Sequence, residues 1–370
     1  MQKPIYFDYA ATTPVHPSVF EQMRPYFMED FGNAGSNQHY YGWVAEEAIQ
    51  KSRAKIAQYF KLPASSILFT SGATESNNLA ILGFLSDKKP SHIITSSIEH
   101  KAVLAVCKQL ELQGWSVTYL MPNKNGMIEL EAVRAAIQPT TALITLMLVN
   151  NELGTITDYQ AIRLLADQHQ IVFHSDATQA IGKLDLISDH LPHLMSFSGH
   201  KIYGPKGVGV LVVQSGITIK PIVFGGDQER GLRSGTLAVP QIVGLAACFD
   251  LMPDLIKQAQ ILHAYKSKIL DSVPNTWTIN AQNGHTVPHI LSISLPNTDW
   301  ETLFQRVPAI AVSNGSACNA KTHLPSHVLK AIGLSDSLAL ATLRISLGNT
   351  TSASDIDFLI DYVNEKLVKL

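Results

Sequence analysis

The sequence predicts an α/β protein: a mostly parallel sheet with helices on both faces, followed by a smaller α+β unit. Three observations lead there. Short, unbroken apolar runs recur along the chain up to about Leu251. Segments with helical spacing separate them. Beyond Leu251 helices dominate, with two strand-like runs among them. Strands buried on both faces read as continuous apolar stretches, and parallel neighbours need helical crossovers between them.

The elements follow in order. ILFT, residues 67–70, reads as a buried strand, and ESNNLAILGFL as the helix behind it. HIITSS is the next strand. The amphipathic KAVLAVCKQLELQG follows, with Gly114 as its stop. SVTYL, ALITLMLV, IVFHSDA, LMSFSG and VGVLVV are further strands. In the C-terminal part HILSISL and ATLRISL read as strands. TTSASD caps the last helix, where Ile356, Leu359, Ile360, Val363 and Leu367 form one apolar face. The expected division is a large unit, residues 15–255, and a small unit, residues 1–14 with 256–370.

Bulk properties narrow the function. A chain of 370 residues exceeds what one core usually holds. With 46% hydrophobic and 16% charged residues it is globular rather than disordered. A formal charge of −2 without basic clusters argues against nucleic acid as a direct partner. MQKPIYFDYAATTP lacks the apolar stretch of a signal peptide, and runs such as ALITLMLV are too short to cross a bilayer. Three dispersed cysteines without CxxC spacing give neither a disulfide framework nor a zinc site. A soluble protein of the cytoplasm is the expectation.

In open α/β sheets ligands bind beyond the carboxyl ends of the strands. SGATES, after ILFT, offers the N–H groups of a helix start and the hydroxyls of Ser71 and Thr74 to an anion, although alone it reads as an ordinary helix cap. His100 follows HIITSS and, alone, is a packed or capping residue. Asn150, Asn151 and Glu152 follow ALITLMLV, where amides also serve as turn formers. Asp176 and Gln179 follow IVF, and a carboxylate so deep in an apolar strand needs a partner. SFSGHKIYGPKG then brings Ser198, His200 and Lys201. An anion cup, an aromatic ring, a buried acid and a lysine at one sheet edge are what pyridoxal 5'-phosphate requires. The cup takes the phosphate, the acid keeps the pyridine nitrogen protonated, and the lysine holds the aldehyde.

The chain resembles the cysteine desulfurases of the NifS/IscS type, in the class V aminotransferase family. The resemblance runs from YFDYAATTPVHP through FGNAGSNQHYYGW, FTSGATESNNLAI, TSSIEHKAV, VNNELGTI, HSDATQAIGK, SFSGHKIYGPKGVG and ERGLRSGTLAVPQIVG to SNGSAC and LRISLG. It implies a pyridoxal-phosphate enzyme of fold type I with a seven-stranded sheet, acting as a homodimer on L-cysteine. Alanine and an enzyme-bound persulfide are the implied products. The sulfur is passed to an acceptor protein for iron–sulfur cluster assembly or tRNA thiolation. Carried over by motif, Lys201 holds the cofactor, Asp176 meets its ring nitrogen and His100 stacks on the ring. Gln179 and Asn151 lie near the cofactor hydroxyl, with Asn151 also near substrate. Ala73, Thr74, Ser198 and His200 form the phosphate cup, and Thr236 reaches the phosphate of the neighbouring subunit. Arg344 binds the substrate carboxylate, for which a guanidinium fork is suited. Cys107 and Cys248 sit among apolar helical residues and read as inert. Cys318, in the polar SNGSACNAKTHLP, reads as the nucleophile. His100 is also expected to exchange protons near the thiol.

Some positions depart from the family pattern: Ala34 for proline, Ser175 for valine, Asp227 for glycine, and Asn349. The chain ends soon after its last helix, so service to a NifS-like or tRNA-thiolation system stands beside iron–sulfur assembly. The rival expectations are a selenocysteine lyase or other class V enzyme, and a non-catalytic scaffold that keeps the fold.

Overall fold

The structure, a computed structural model, describes residues 3–186, 189–296, 298–314 and 324–367. Its centre is a seven-stranded sheet made of β2 (Ile67–Thr70), β3 (His92–Ser96), β4 (Ser116–Leu120), β5 (Thr141–Thr145), β6 (Val172–Asp176), β7 (Leu194–Ser198) and β8 (Gly209–Val213). A short N-terminal strand, β1 (Ile5–Tyr6), lies outside this sheet. The strand order is β2-β8-β7-β6-β5-β3-β4, and only β8 runs antiparallel to its neighbours. β2, β3 and β7 are buried along their whole length, which is why they read as unbroken apolar runs. The main core cluster joins this sheet, through Phe69, Ile144, Phe173 and Phe197, to helices Tyr40–Tyr59 and Val239–Ala247.

The C-terminal part holds a three-stranded antiparallel sheet of β9 (Thr278–Ile279), β10 (Ile290–Ser294) and β12 (Thr342–Ser346), in the order β12-β10-β9. The remaining strand, β11 (Ile310–Ala311), pairs in parallel with β1, and Asp8 bridges to Ser346. The first residues of the chain therefore pack with its last third. A separate apolar cluster unites Phe7, Leu291, Leu343, Ile356 and Leu359. On the last helix, Ala353–Leu367, Ile356, Leu359 and Leu367 are buried, while Ile360 and Val363 pack against the same cluster.

Two readings are refined. ALITLMLV is a regular strand only as far as Thr145; Leu146 to Val149 continue as buried chain toward the cavity, with Leu146 and Leu148 N–H still donating to the His174 and Asp176 carbonyls. The helical run Val239–Ser272 is long and apolar enough, by length and composition, to cross a membrane, yet 56% of its apolar 18-residue window is buried inside the protein. Ile242, Leu245 and Met252 of this run belong to the main core.

Candidate active site

A cavity of about 450 Å³ opens at the carboxyl ends of the parallel strands. Ala73, Thr74, His100, Asn151, Asp176, Gln179, Ser198, His200, Lys201 and Arg344 all line it. Thr236 does not line it and is exposed. Cys318 lies outside the described residues.

The anion end is built from backbone. Helix Ala73–Leu85 starts with Gly72 at its cap, which supplies no side-chain bond, so no side chain occupies the first-turn N–H groups. Gly209 opens β8 against this turn; a Cβ there would stand 2.6 Å from the Gly72 backbone and 2.7 Å from the Phe197 carbonyl. That close approach sets where the helix start meets β7. Glu75 accepts from the Ser71 N–H at 2.8 Å and from Arg233 Nε at 2.7 Å. Burial raises the Glu75 pKa, but these bonds outweigh it and the net shift is downward. His200 shares a 3.1 Å bond between Nδ1 and Thr12 Oγ1. Burial first, then Lys201 and Lys206, lower its pKa to about 4, so it is neutral near neutral pH.

The acid ends β6. Asp176 is 5% exposed, accepting from Asn77 Nδ2 at 2.7 Å and from the Thr178 N–H at 3.0 Å. Both partners are neutral donors, so neither of these bonds pairs the carboxylate with a cation. Lys201, in a short 3₁₀ turn after β7, donates Nζ to the carbonyls of Ala10 and Ala11 at 2.6 and 2.8 Å. The Gln179 amide donates to the same Ala10 carbonyl at 2.8 Å. The N-terminal DYAATTP segment thus closes one wall. Lys183 Nζ holds the Lys201 carbonyl at 2.7 Å, and burial, aided by Lys201, lowers the Lys183 pKa to about 7.

His100 caps helix Lys101–Leu112, its Nδ1 accepting the Ala102 N–H at 3.1 Å. Burial dominates its lowered pKa; Asp176 opposes, while Lys201, His327 and Lys101 add to it. Asn150 is the turn former: its Oδ1 accepts from Glu152 and Leu153 N–H, and its Nδ2 reaches the Ile98 carbonyl. That turn leaves Asn151 at the cavity wall. Arg344 on β12 is 2% exposed, donating Nη2 to Asp8 at 2.7 Å and Nη1 to the Asn151 carbonyl at 2.9 Å. β12 therefore delivers its guanidinium across the seam to the large sheet.

Among the other lining residues, Asn77 and His327 escaped the sequence reading, while Glu152 was noted beside Asn150 and Asn151 without a role. Asn77 was within reach, four residues into the helix after the anion turn and on its buried face. Glu152 is buried, accepts from Ser326 Oγ at 2.5 Å, and has its pKa raised by burial. His327 follows the Ser326 helix cap and bonds through Nε2 to the Glu99 carbonyl at 3.0 Å. Only the fold brings that distant segment to the cavity. Among the described cysteines, Cys107 and Cys248 are buried and free. Burial lifts the Cys107 pKa to about 12 and pushes Cys248 up as well, so neither is a ready nucleophile. Among the described residues, no cluster of His, Cys, Asp or Glu is placed to hold a metal ion.

The donor set fits pyridoxal phosphate: an uncapped helix start for a dianion, a buried carboxylate for a pyridinium, and an amine between them.

Comparison with known proteins agrees. The class-V aminotransferase family model matches residues 5–359. The cysteine desulfurase IscS of Methylococcus capsulatus is 43% identical over 378 aligned residues, covering all of this chain and 94% of its own. Among solved structures, a NifS-like protein superimposes with a TM-score of 0.92 at 34% identity, covering 99% of this chain and 100% of its own. SspA in complex with cysteine has a TM-score of 0.83 at 41% identity, covering 93% and 98%. The chain belongs to the class-V aminotransferase family and, within it, to the NifS/IscS-type cysteine desulfurases.

Proposed function

We propose that the cavity binds pyridoxal 5'-phosphate and L-cysteine and that the chain removes the cysteine sulfur, releasing alanine. The convergence of Lys201, Asp176 and the uncapped helix start on one cavity carries this reading. When bound, the cofactor supplies an electron sink for the bonds around the substrate α-carbon. Lys201 would hold the cofactor and could also move the substrate α-proton. Asp176 would hold a proton on the ring nitrogen, and Asn77 and the Thr178 N–H keep its carboxylate aimed. His100 would pack on the ring, and Gln179 and Asn151 would attend its hydroxyl. Ala73, Thr74, Ser198 and neutral His200 would donate to the phosphate.

Arg344 binds the substrate carboxylate, which then shares the guanidinium with Asp8. Cys318 would take the sulfur as a persulfide: its thiolate forms the S–S bond as the substrate C–S bond breaks, and the bonding pair stays on the substrate carbon, which gains a proton to become the alanine methyl. We further infer a homodimer. Phe31, Tyr40, Tyr41 and Trp43 form an exposed aromatic surface, with ring centroids 5.4 Å apart for Phe31–Tyr41 and 5.9 Å for Tyr40–Tyr41. In that assembly exposed Thr236 would serve the neighbour's phosphate. The persulfide sulfur would go to an acceptor protein of iron–sulfur assembly or tRNA thiolation, in the cytoplasm. The large and small units divide at about residue 255, with residues 1–14 joining the small one.

The test is chemical trapping. Borohydride reduction of cofactor-loaded protein, followed by peptide mass analysis, should find the cofactor on Lys201. Attachment to another lysine, or to none, would reject the assignment.

A further inference from the structure

Three imidazoles line the cavity; His200 sits beside Thr12 at the phosphate end, and the hydrogen bonds of the other two, His100 and His327, fix opposite roles. The nitrogen Nδ1 of His100 receives the Ala102 amide N–H. An amide N–H can only donate, so this nitrogen is an acceptor and the neutral ring carries its proton on Nε2. Toward the cavity, His100 is a donor. His327 is the converse. Its Nε2 meets the Glu99 carbonyl, which can only accept, so Nε2 carries the proton and Nδ1 keeps a lone pair. His327 lines the same cavity as His100, Asn151 and Arg344. Its helix start is tied down by Ser326, whose hydroxyl bonds Glu152 and accepts from Val328 and Leu329 N–H.

An L-cysteine held by its carboxylate at Arg344 and its amine near Lys201 has only its thiol left to recognise. Of His100 and His327, only His327 offers a lone pair. We infer that His327 Nδ1 accepts the S–H of the substrate, so that L-cysteine is selected and oriented as the protonated thiol. A lone pair facing sulfur favours the thiol over the thiolate, and the neutral thiol is the form whose sulfur a thiolate can attack. The charged and titratable groups around His327 include Glu99, whose carbonyl takes its Nε2 proton, His100 and Lys101 from the neighbouring helix, Glu152 from the turn after β5, and Arg344 from β12. This inference rests on the desulfurase reading.

The experiment titrates L-cysteine and L-alanine into cofactor-loaded Cys318→Ala protein, with binding read from cofactor absorbance. Alanine shares the amine and carboxylate but has no thiol. A net hydrogen bond amounts to roughly a three- to tenfold preference for cysteine, and His327→Phe should abolish it while leaving alanine affinity unchanged. A second measurement needs no His327 variant. The cysteine-to-alanine preference should fall in base, as free cysteine becomes thiolate. An equal loss for both amino acids in His327→Phe would overturn the inference, because it marks a structural role. So would a preference that survives the substitution or does not vary with pH. If neither amino acid changes the spectrum, the function beneath it fails too.

Discussion

Glu229 is buried with no exposed side-chain area and grips Arg53, whose side chain is 6% exposed. Its carboxylate accepts from Arg53 Nη1 at 2.8 Å and Nη2 at 2.5 Å, and from the Phe69 N–H at 2.9 Å. Arg53 also reaches the Ile67 carbonyl at 2.7 Å and lies 4.8 Å from the centre of the Phe69 ring. Glu229 and Arg230 both have left-handed backbone, at φ 48° and 61°, so the ion pair holds an unfavourable turn in place. That turn leads to Arg233, which grips Glu75 at the anion end of the cavity, and to Thr236. Glu229→Gln turns one oxygen into an NH₂ group that faces guanidinium donors, and leaves a buried cation uncompensated. Breaking a buried pair from one side costs about 3–5 kcal/mol. At about 2 °C per kcal/mol for a long chain, the melting temperature should fall by roughly 6–10 °C. Thermal and urea unfolding of the cofactor-free protein read this directly. The paired replacement Arg53→Met with Glu229→Leu should recover much of the loss, retaining about 1–3 kcal/mol for the stranded Phe69 N–H. A Glu229→Gln protein that melts with wild type would refute the reasoning.

Other expectations rest on separate features. The Glu99 carboxyl is raised to about 8, by burial first and by Asp176, against bonds from Ser96 and the Met147 N–H. Its folded pKa lies above its unfolded one. Its contribution to stability is therefore complete below the ordinary carboxylate range and is lost as pH rises through about 8. Glu99→Gln should flatten that decline, and unfolding midpoints measured across the range would detect it. Gly209→Ala drives a methyl into the Gly72 backbone and should weaken phosphate-end binding of the cofactor more than it lowers the melting temperature; equilibrium dialysis separates the two effects.

Much of this was legible before the fold. Buried strands announce themselves as apolar runs because both faces of the central sheet are covered, and polar residues stand where those runs end. Asp176 and Lys201 were visible for that reason, the first closing β6 and the second in the turn just after β7. What stayed hidden was contact between segments remote in sequence. Nothing near Arg344 says that Asp8 sits beside it, and nothing in HLPSHVL says that His327 meets Glu99. Asn150 and Asn151 look alike in sequence; only the turn shows that the first builds and the second faces the cavity. Of the departures from the family pattern, Ser175 is accommodated by a 2.5 Å bond to the Leu146 carbonyl. Ala34 and Asp227 line one surface groove near Glu229. The structure gives no account of why Asn349 replaces the usual residue.

The most direct measurement is the yield of alanine and sulfide from L-cysteine by cofactor-loaded protein with a thiol reductant, beside Lys201→Ala and Cys318→Ala. The account predicts equal amounts of both products from wild type and no turnover from Lys201→Ala. Cys318→Ala should bind cysteine yet release no sulfide. Sulfide release by either variant at the wild-type rate, or a wild type that binds cofactor and yields no alanine, would contradict it.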